Sequence, residues 1–461
     1  MNAARPLQRR TVGSSSPSPG LLGLLFLVLV PAVASAGPGA AADGPELLGI
    51  PVDFILFGLT LAGVALFHKY TLQVAVAGLL VITLYKIGFS PFATGPGIAG
   101  LVAHASHEWV ILVNLFLLLT GFAFLSRHFE KSHVPALLPR YLPDDWKGAF
   151  AMLVIVFVLS SFLDNIAAAM IGGAMAHTLF RGKVSVGYLA AIVAASNAGG
   201  AGSVVGDTTT TMMWIDKVSP LAVLEAFVAS GMALVIFGIP ASIRQQRYSP
   251  IIKDPEGSPH VDWARVGIVA AVLVAAISIN VAVNVRYAEY SDLFPWIGSA
   301  VWGALLLTAS LRRPDWGLLR EAAPGSFFLL SLVMAASMMP VEKLPAASWP
   351  TTLGLGFLSA VFDNIPLTKL ALQQGGYDWG FLAYAVGFGG SMIWFGSSAG
   401  VAITTLYPEA RSVGRWVKEG WYIPVAYVAG FAVLLLTLGW HPTPKGSRPV
   451  PAPMAISAPV R

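Results

Sequence analysis

The 461-residue sequence predicts an all-α polytopic membrane protein made of two inverted repeats, each with a re-entrant helical hairpin and a discontinuous transmembrane helix. Composition is the first observation behind this. The chain is 56% hydrophobic and 11% charged, with mean hydropathy +0.72, whereas soluble domains carry about 25% charged residues. A second is the stretch SNAGGAGSVVGDTTTTMMW, Ser196 to Trp214, in which glycines and polar residues interrupt apolar surroundings. The third is recurrence. SSFLDNI at 160–166 returns as SAVFDNI at 359–365, and GGAGSVVGD from Gly199 returns as GGSMIWFGS from Gly389. Discontinuous segments at corresponding places in two halves are the sequence mark of a transport site.

Taken in order, residues 1–36 read as a secretory signal peptide or an uncleaved first apolar segment. Arg5, Arg9 and Arg10 precede LLGLLFLVLV, and Ala34, Ser35 and Ala36 precede Gly37. Either reading starts residue 37 outside. The first repeat is expected over 37–246, with apolar spans at 52–67, 71–89 and 108–126. Residues 148–180 break that pattern at Asp164-Asn165. Each side has about 16 residues, about 24 Å of helix against a hydrocarbon core of about 30 Å. Two short helices meeting at a polar tip make a re-entrant hairpin.

The broken segment 186–214 follows. GYLAAIVAA favours helix, after which Gly199, Gly200, Gly202 and Gly206 make its continuation costly. Backbone groups freed there must find protein, water or an ion, because lipid satisfies none of them. Close packing explains small residues but leaves Asp207 without a reason, and an intramembrane carboxylate is a functional residue by default. A span at 219–240 and a cytoplasmic linker at 247–262 lead to the second repeat, 263–441. It holds spans at 265–286, 295–311 and 324–341, and a shorter hairpin at 351–374 with Asp363-Asn364 at its tip. A broken segment at 380–406, with Gly389, Gly390, Gly396, Ser397 and Ser398, and a last span at 420–440 complete it. Residues 442–461 read as a disordered proline-rich tail.

Charge placement orients the chain. With residue 37 outside, 16 basic residues from Lys69 to Lys418 fall in inner loops and three, Lys217, Arg286 and Lys343, in outer ones. The positive-inside rule selects this orientation, and the chain is expected to be a multi-pass protein of the cell's inner (plasma) membrane. The first hairpin enters from the cytoplasm and the second from the opposite side. Basic residues here are orientation signals, so no nucleic-acid partner is expected. The absence of cysteine removes disulfides and thiolate metal sites. HEWVI at 107–111 lacks the second histidine of a zinc-protease helix, and neither a serine-hydrolase elbow nor a phosphate loop occurs. An enzyme is therefore not expected.

GDTTTTMMWI at 206–215 is similar to the GD-x-TTTMLW signature of the NhaD-type sodium/proton antiporters. These form a branch of the ion transporter superfamily (citrate transporter-like domain), which also contains citrate and dicarboxylate carriers and arsenite permeases. DNIP at 363–366 and GGSMIWFGSSAG at 389–400 resemble the same branch's second half. The resemblance covers roughly residues 50–440. It implies secondary active exchange of sodium, or lithium, for protons across a lipid bilayer, with no cofactor and with a homodimer as one assembly. Hairpin tips of the dicarboxylate carriers bear Ser-Asn-Thr. Both tips here bear Asp-Asn, which favours a cation.

Side-chain chemistry points the same way. Asp164, Asn165, Asp207, Asp363 and Asn364 are expected to meet near the midplane. Thr208, Thr209, Ser397 and Ser398 add hydroxyls, and backbone freed near Gly199, Gly200, Gly206, Gly389, Gly390 and Gly396 adds carbonyls. These are the oxygen ligands sodium prefers. Burial disfavours a charged carboxylate and a bound cation favours it, so Asp164, Asp207 and Asp363 are candidates to hold protons and sodium by turns. Coupled uptake of citrate or a dicarboxylate is the alternative, but the motifs offer no arginine to pair with it. Asn165 and Asn364 could instead cap helices, and Thr208 to Thr211 could bond freed backbone. Lys369 would pair with an aspartate, attract an anion or snorkel. His177 reads as a satisfied polar residue near the inner end of its hairpin, and His104, His107 and Glu108 as outer-loop residues.

Overall fold

The computed structural model describes residues 44–67, 70–252, 260–287, 290 and 292–442. The expected leader at 1–36, residues 253–259 of the expected linker and the tail from 443 lie outside them. Among the described residues the structure is almost wholly helical. Its main helices are α1 (Val52–Leu66), α2 (Thr71–Gly88), α3 (Gly97–Glu130), α4 (Trp146–Ser160), α5 (Asn165–Leu179), α6 (Val186–Ala201), α7 (Thr208–Ile215) and α8 (Ala226–Tyr248). They continue with α9 (Trp263–Arg286), α10 (Trp296–Thr308), α11 (Leu318–Ser337), α12 (Trp349–Ser359), α13 (Asn364–Gln374), α14 (Trp379–Gly389), α15 (Ser398–Leu406), α16 (Val413–Glu419) and α17 (Tyr422–Thr437).

Among the described residues five helical stretches are long and apolar enough to cross a membrane: Thr71–Gly88, Gly97–Glu130, Pro220–Tyr248, Trp263–Val283 and Leu318–Ser337. α16 and α17 together make a sixth, bent by 59°. Leu80, Leu84, Val274, Leu306 and Leu307 are exposed on α2, α9 and α10. Side chains of this kind on the outside of the long helices α2 and α9, and of the shorter α10 beside them, belong in hydrocarbon.

The shorter helices form the interior. Every residue of α6 and every residue of α14 is buried, as expected of helices apolar all round. α6 packs against α4, α5, α8 and α14, and α14 against α12, α13, α8 and α17. The partners then cross over: α5 packs on α15, while α13 packs on α7. Around this inner group a second set, α1 to α3 with α9 to α11, packs mostly on itself. The two sets meet where α3 touches α5 and α7 and where α11 touches α13.

Both polar tips are turns between short helices. α4 and α5 have 15 residues each, and α12 and α13 have 11 each, or about 22 Å and 16 Å of helix. None reaches across a core of about 30 Å. The breaks fall later than the glycine count suggests. α6 runs through Gly199 and Gly200 to Ala201, so the gap is 202–207, and the second gap is 390–397. None of the six motif glycines has a positive φ. They serve close approach instead: a Cβ on Gly206 would collide with the backbone oxygen of Ser160, and one on Gly396 would press on that of Ala360.

One sequence expectation is corrected. His104, His107 and Glu108 do not lie in a loop but in α3, which begins at Gly97. The polar cluster imitates a loop because single residues do not reveal their partners. His104 Nε2 lies 2.9 Å from Ser337 Oγ, and Glu108 accepts from Lys369, so a buried helix tolerates both.

Candidate ion site

A cavity of about 1090 Å³ lies where the two sets of helices meet. On one side it is walled by apolar residues of α3, including Leu115, Leu118 and Phe122. Facing them are the hairpin tips and the helix breaks. Asp164, Asn165, Asp207, Thr208, Asp363, Asn364, Ser397 and Ser398 all line it, so eight of the nine sequence-predicted side chains come together. Thr209 does not line the cavity and is fully buried beside it. Towards one end the wall becomes charged, with Arg127, Glu130 and Glu321 at the mouth.

Each half repeats one local design. Asp164 and Asp363 are helix N-caps with φ/ψ of −54°/141° and −54°/138°. Asp164 Oδ2 accepts from Ile166 N at 3.2 Å, and Asp363 Oδ1 from Ile365 N at 3.0 Å. The capping residue at each tip is thus the aspartate, not the asparagine that follows it, because the carboxylate reaches the amide two residues on. Asp207 and Ser397 likewise cap α7 and α15, with φ of −142° in both. Asp207 Oδ1 accepts from Thr209 N at 3.2 Å, and Ser397 Oγ from Gly400 N at 3.3 Å.

Four helix N-termini therefore point at one cavity, an arrangement that by itself favours an anion. In this chain three of the four carry their own carboxylate. At about +0.5 per N-terminus the four ends supply roughly +2, and three ionised aspartates exceed that by about one negative charge. Asp207 acts electrostatically on both Asp164 and Asp363. Its second oxygen, Oδ2, is buried, as is Thr209 Oγ1, and neither makes a hydrogen bond of good geometry to another described residue. Gly387 makes room for Oδ2, since a Cβ there would stand 3.3 Å from that oxygen.

The threonine row divides by role. Thr210 Oγ1 donates to Ser203 O at 2.5 Å and Thr211 Oγ1 to Val204 O at 2.9 Å, tying down the broken backbone. Thr208 is left facing the cavity. Asn197 is a site residue that sequence reasoning missed. It is fully buried; its Oδ1 accepts from Asn165 Nδ2 at 3.1 Å, and its Nδ2 donates to Ser391 Oγ at 2.9 Å and Ser397 Oγ at 3.0 Å. One amide thus joins the first hairpin tip to the second helix break. The signal was an asparagine inside a helix with no exposed face.

Lys369 does not face the cavity and pairs with Glu108 at 2.7 Å. Among the described lining residues Arg127 is the basic one, and it lies 3.0 Å from Glu130 and 3.9 Å from Glu321. His177 is exposed on α5, away from the cavity lining. Among the described residues no three His, Asp or Glu side chains converge closely enough to form a metal-binding group. A cation held here would therefore take fewer than three carboxylates, with amide, hydroxyl and backbone oxygens completing its shell.

No protein-family profile matches the chain. Curated relatives are distant. Sodium/proton antiporter 1 of Arabidopsis thaliana is 25% identical over 329 residues, covering 62% of this chain and 55% of that protein. Sodium/proton antiporter 2 of the same plant is 26% identical, covering 64% and 74%. The Na(+)/H(+) antiporter NhaD of Halomonas elongata is 26% identical over 347 residues, covering 61% and 66%. The match thus spans little more than half the length of the first of these relatives, and the chain is a distant homologue of sodium/proton antiporters over most of its own length.

Proposed function

We propose that this chain is a secondary active transporter exchanging sodium, or lithium, for protons, with Asp164, Asp207 and Asp363 holding protons and the cation by turns, no more than two of them ligating the cation at once. The observation that carries the reading is the charge of the cavity. Three carboxylates and two asparagine side chains line it, and the basic side chain among its described lining residues, Arg127, is held at the mouth by two glutamates. A monovalent cation would be attracted there, while a citrate or dicarboxylate would meet three acids and, among the described residues, no free cation. Lys369, the cation that an anion carrier would need, is engaged by Glu108. Distant homology to antiporters supports the same class.

In this reading a proton leaving one carboxylate makes that oxygen a ligand for sodium, and sodium leaving makes it basic again. Competition for one group is enough to couple two opposite fluxes. Asn165, Asn364, Thr208 and Ser398 would supply neutral oxygens, with Asn197 and Ser397 fixing the geometry. Matching caps and close glycine contacts in the two halves support a duplicated, inverted design, and the excess of basic residues at the Arg127 end favours a cytoplasmic mouth. The inner group, carrying hairpins and breaks, would shift as a body against α1 to α3 and α9 to α11.

The test uses proteoliposomes with an entrapped pH dye. Adding sodium is expected to dissipate an imposed proton gradient. Sodium-dependent uptake of labelled citrate without any dissipation would replace the proposal with organic-anion transport.

A further inference from the structure

At the end of the molecule away from the cavity mouth, the seam between the two sets of helices is crossed by side chains that ion exchange leaves unused. Along α3 the cavity wall runs from Leu115 to Glu130. Glu108 lies seven residues before Leu115, about 10 Å farther along the helix axis. There Glu108 Oε2 accepts from Lys369 Nζ at 2.7 Å, with the two side chains 5% and 6% exposed. Four residues along α13, on the same face, Gln373 Nε2 donates to the backbone oxygen of Ser337 at 2.8 Å. Ser337 Oγ in turn meets His104 Nε2 at 2.9 Å, one turn before Glu108 on α3.

The partners belong to different bodies. Glu108, His104 and Ser337 sit on α3 and α11 of the flanking set, and Lys369 and Gln373 on α13 of the inner group. α13 also carries Asn364 as its first residue, capped by Asp363. One helix of 11 residues therefore has ion-site side chains at one end and seam bonds at the other. A buried ion pair adds little net stability, because desolvation offsets most of its attraction, but parting it inside the protein leaves two costly unpaired charges.

We propose that Glu108 and Lys369 are positioning residues whose pair, supported by Gln373 on Ser337, latches the second hairpin to the flanking helices and closes the cavity on the side opposite its mouth. Parting of the pair frees α13 to move and opens the cavity to that side. This rests on the exchange reading above, in which the site faces each side in turn. A purely stabilising pair would leave the sidedness of the cavity unchanged when both members are replaced.

The chain has no cysteine, so an introduced thiol reports alone. Val401, on the cavity wall and outside the ion-binding set, is replaced by cysteine and exposed to a membrane-impermeant maleimide in vesicles of both orientations. Reaction is expected from the mouth side. Adding E108M/K369M strands no buried charge, and reaction from the opposite side should then rise at least about tenfold, the change for about 1.4 kcal/mol of lost bias. Separately, bridging E108C to K369C with a short reducible bifunctional thiol reagent should stop sodium/proton exchange, and reductant should restore it. Unchanged sidedness in E108M/K369M, or unchanged exchange with bridging complete, overturns the proposal. A change in sidedness in a protein that exchanges no sodium would keep the latch and reject the antiport reading.

Discussion

Replacing Asp207 by asparagine separates two jobs that one residue performs. Its Oδ1 caps α7 by accepting from Thr209 N at 3.2 Å, and its carboxylate charge sits at the wall of the cavity, with Oδ2 buried. Asparagine caps a helix about as well as aspartate, so Asp207→Asn should fold and keep α7. What it removes is one unit of charge. A cation at about 4 Å from that carboxylate, with an effective dielectric constant of about 20, is held by roughly 4 kcal/mol. At about 1.4 kcal/mol per decade this is close to a thousandfold in affinity. The four N-termini would then balance the two remaining aspartates, leaving the cavity near neutral. Sodium binding measured calorimetrically in detergent should fall below detection, and dye-loaded proteoliposomes should no longer dissipate a proton gradient on sodium addition. Thermal unfolding should move little. Asp207→Ala loses both jobs and should also lower stability by about 1 kcal/mol through the cap. Exchange by Asp207→Asn at the native rate, in protein of native stability, would refute the assignment of the charge to ion binding.

Further outcomes follow from the same geometry. Asn197→Ala removes three buried hydrogen bonds, worth about 0.5–1.5 kcal/mol each. It should raise the sodium concentration for half-maximal exchange at least about tenfold, and an unchanged value would show that this amide does not shape the site. Gly206→Ala forces a Cβ onto the Ser160 backbone oxygen, and overpacking of this kind costs about 1–3 kcal/mol. A lower unfolding temperature and slower exchange are expected, and native values for both would show that the tip and the break can separate freely. Lys86 and Asp53 form a second buried pair at 3.1 Å within the flanking set. Lys86→Met alone should destabilise by about 3–5 kcal/mol, whereas Lys86→Met with Asp53→Leu should recover most of it; chemical denaturation of the two variants checks the difference.

Much of the fold and most of the candidate site were legible in the sequence, because both follow from local composition. Apolar runs this long and continuous close their backbone hydrogen bonds in lipid as helices, and two tips with Asp-Asn between helices too short to span must turn back. The recurrence of DNI and of a glycine-rich break also named eight of the residues that line the cavity. Local pattern misjudged the glycines, which serve contact across helices and not a change of backbone conformation. It also misplaced Glu108, whose charge reads as loop unless Lys369, 261 residues later, is known to lie against it.

The sequence by itself determined the membrane class, the polar hairpin tips and the candidate acids, since these depend on neighbours along the chain; that the aspartates and not the asparagines cap the helices, and that the breaks begin at 202 and 390, came from the structure. Tertiary structure decided that four helix ends share one cavity, that Asn197 joins the halves, and that Lys369 turns away from the site. Those outcomes depend on which surfaces meet, and contact between residues hundreds of positions apart leaves no mark on either one alone.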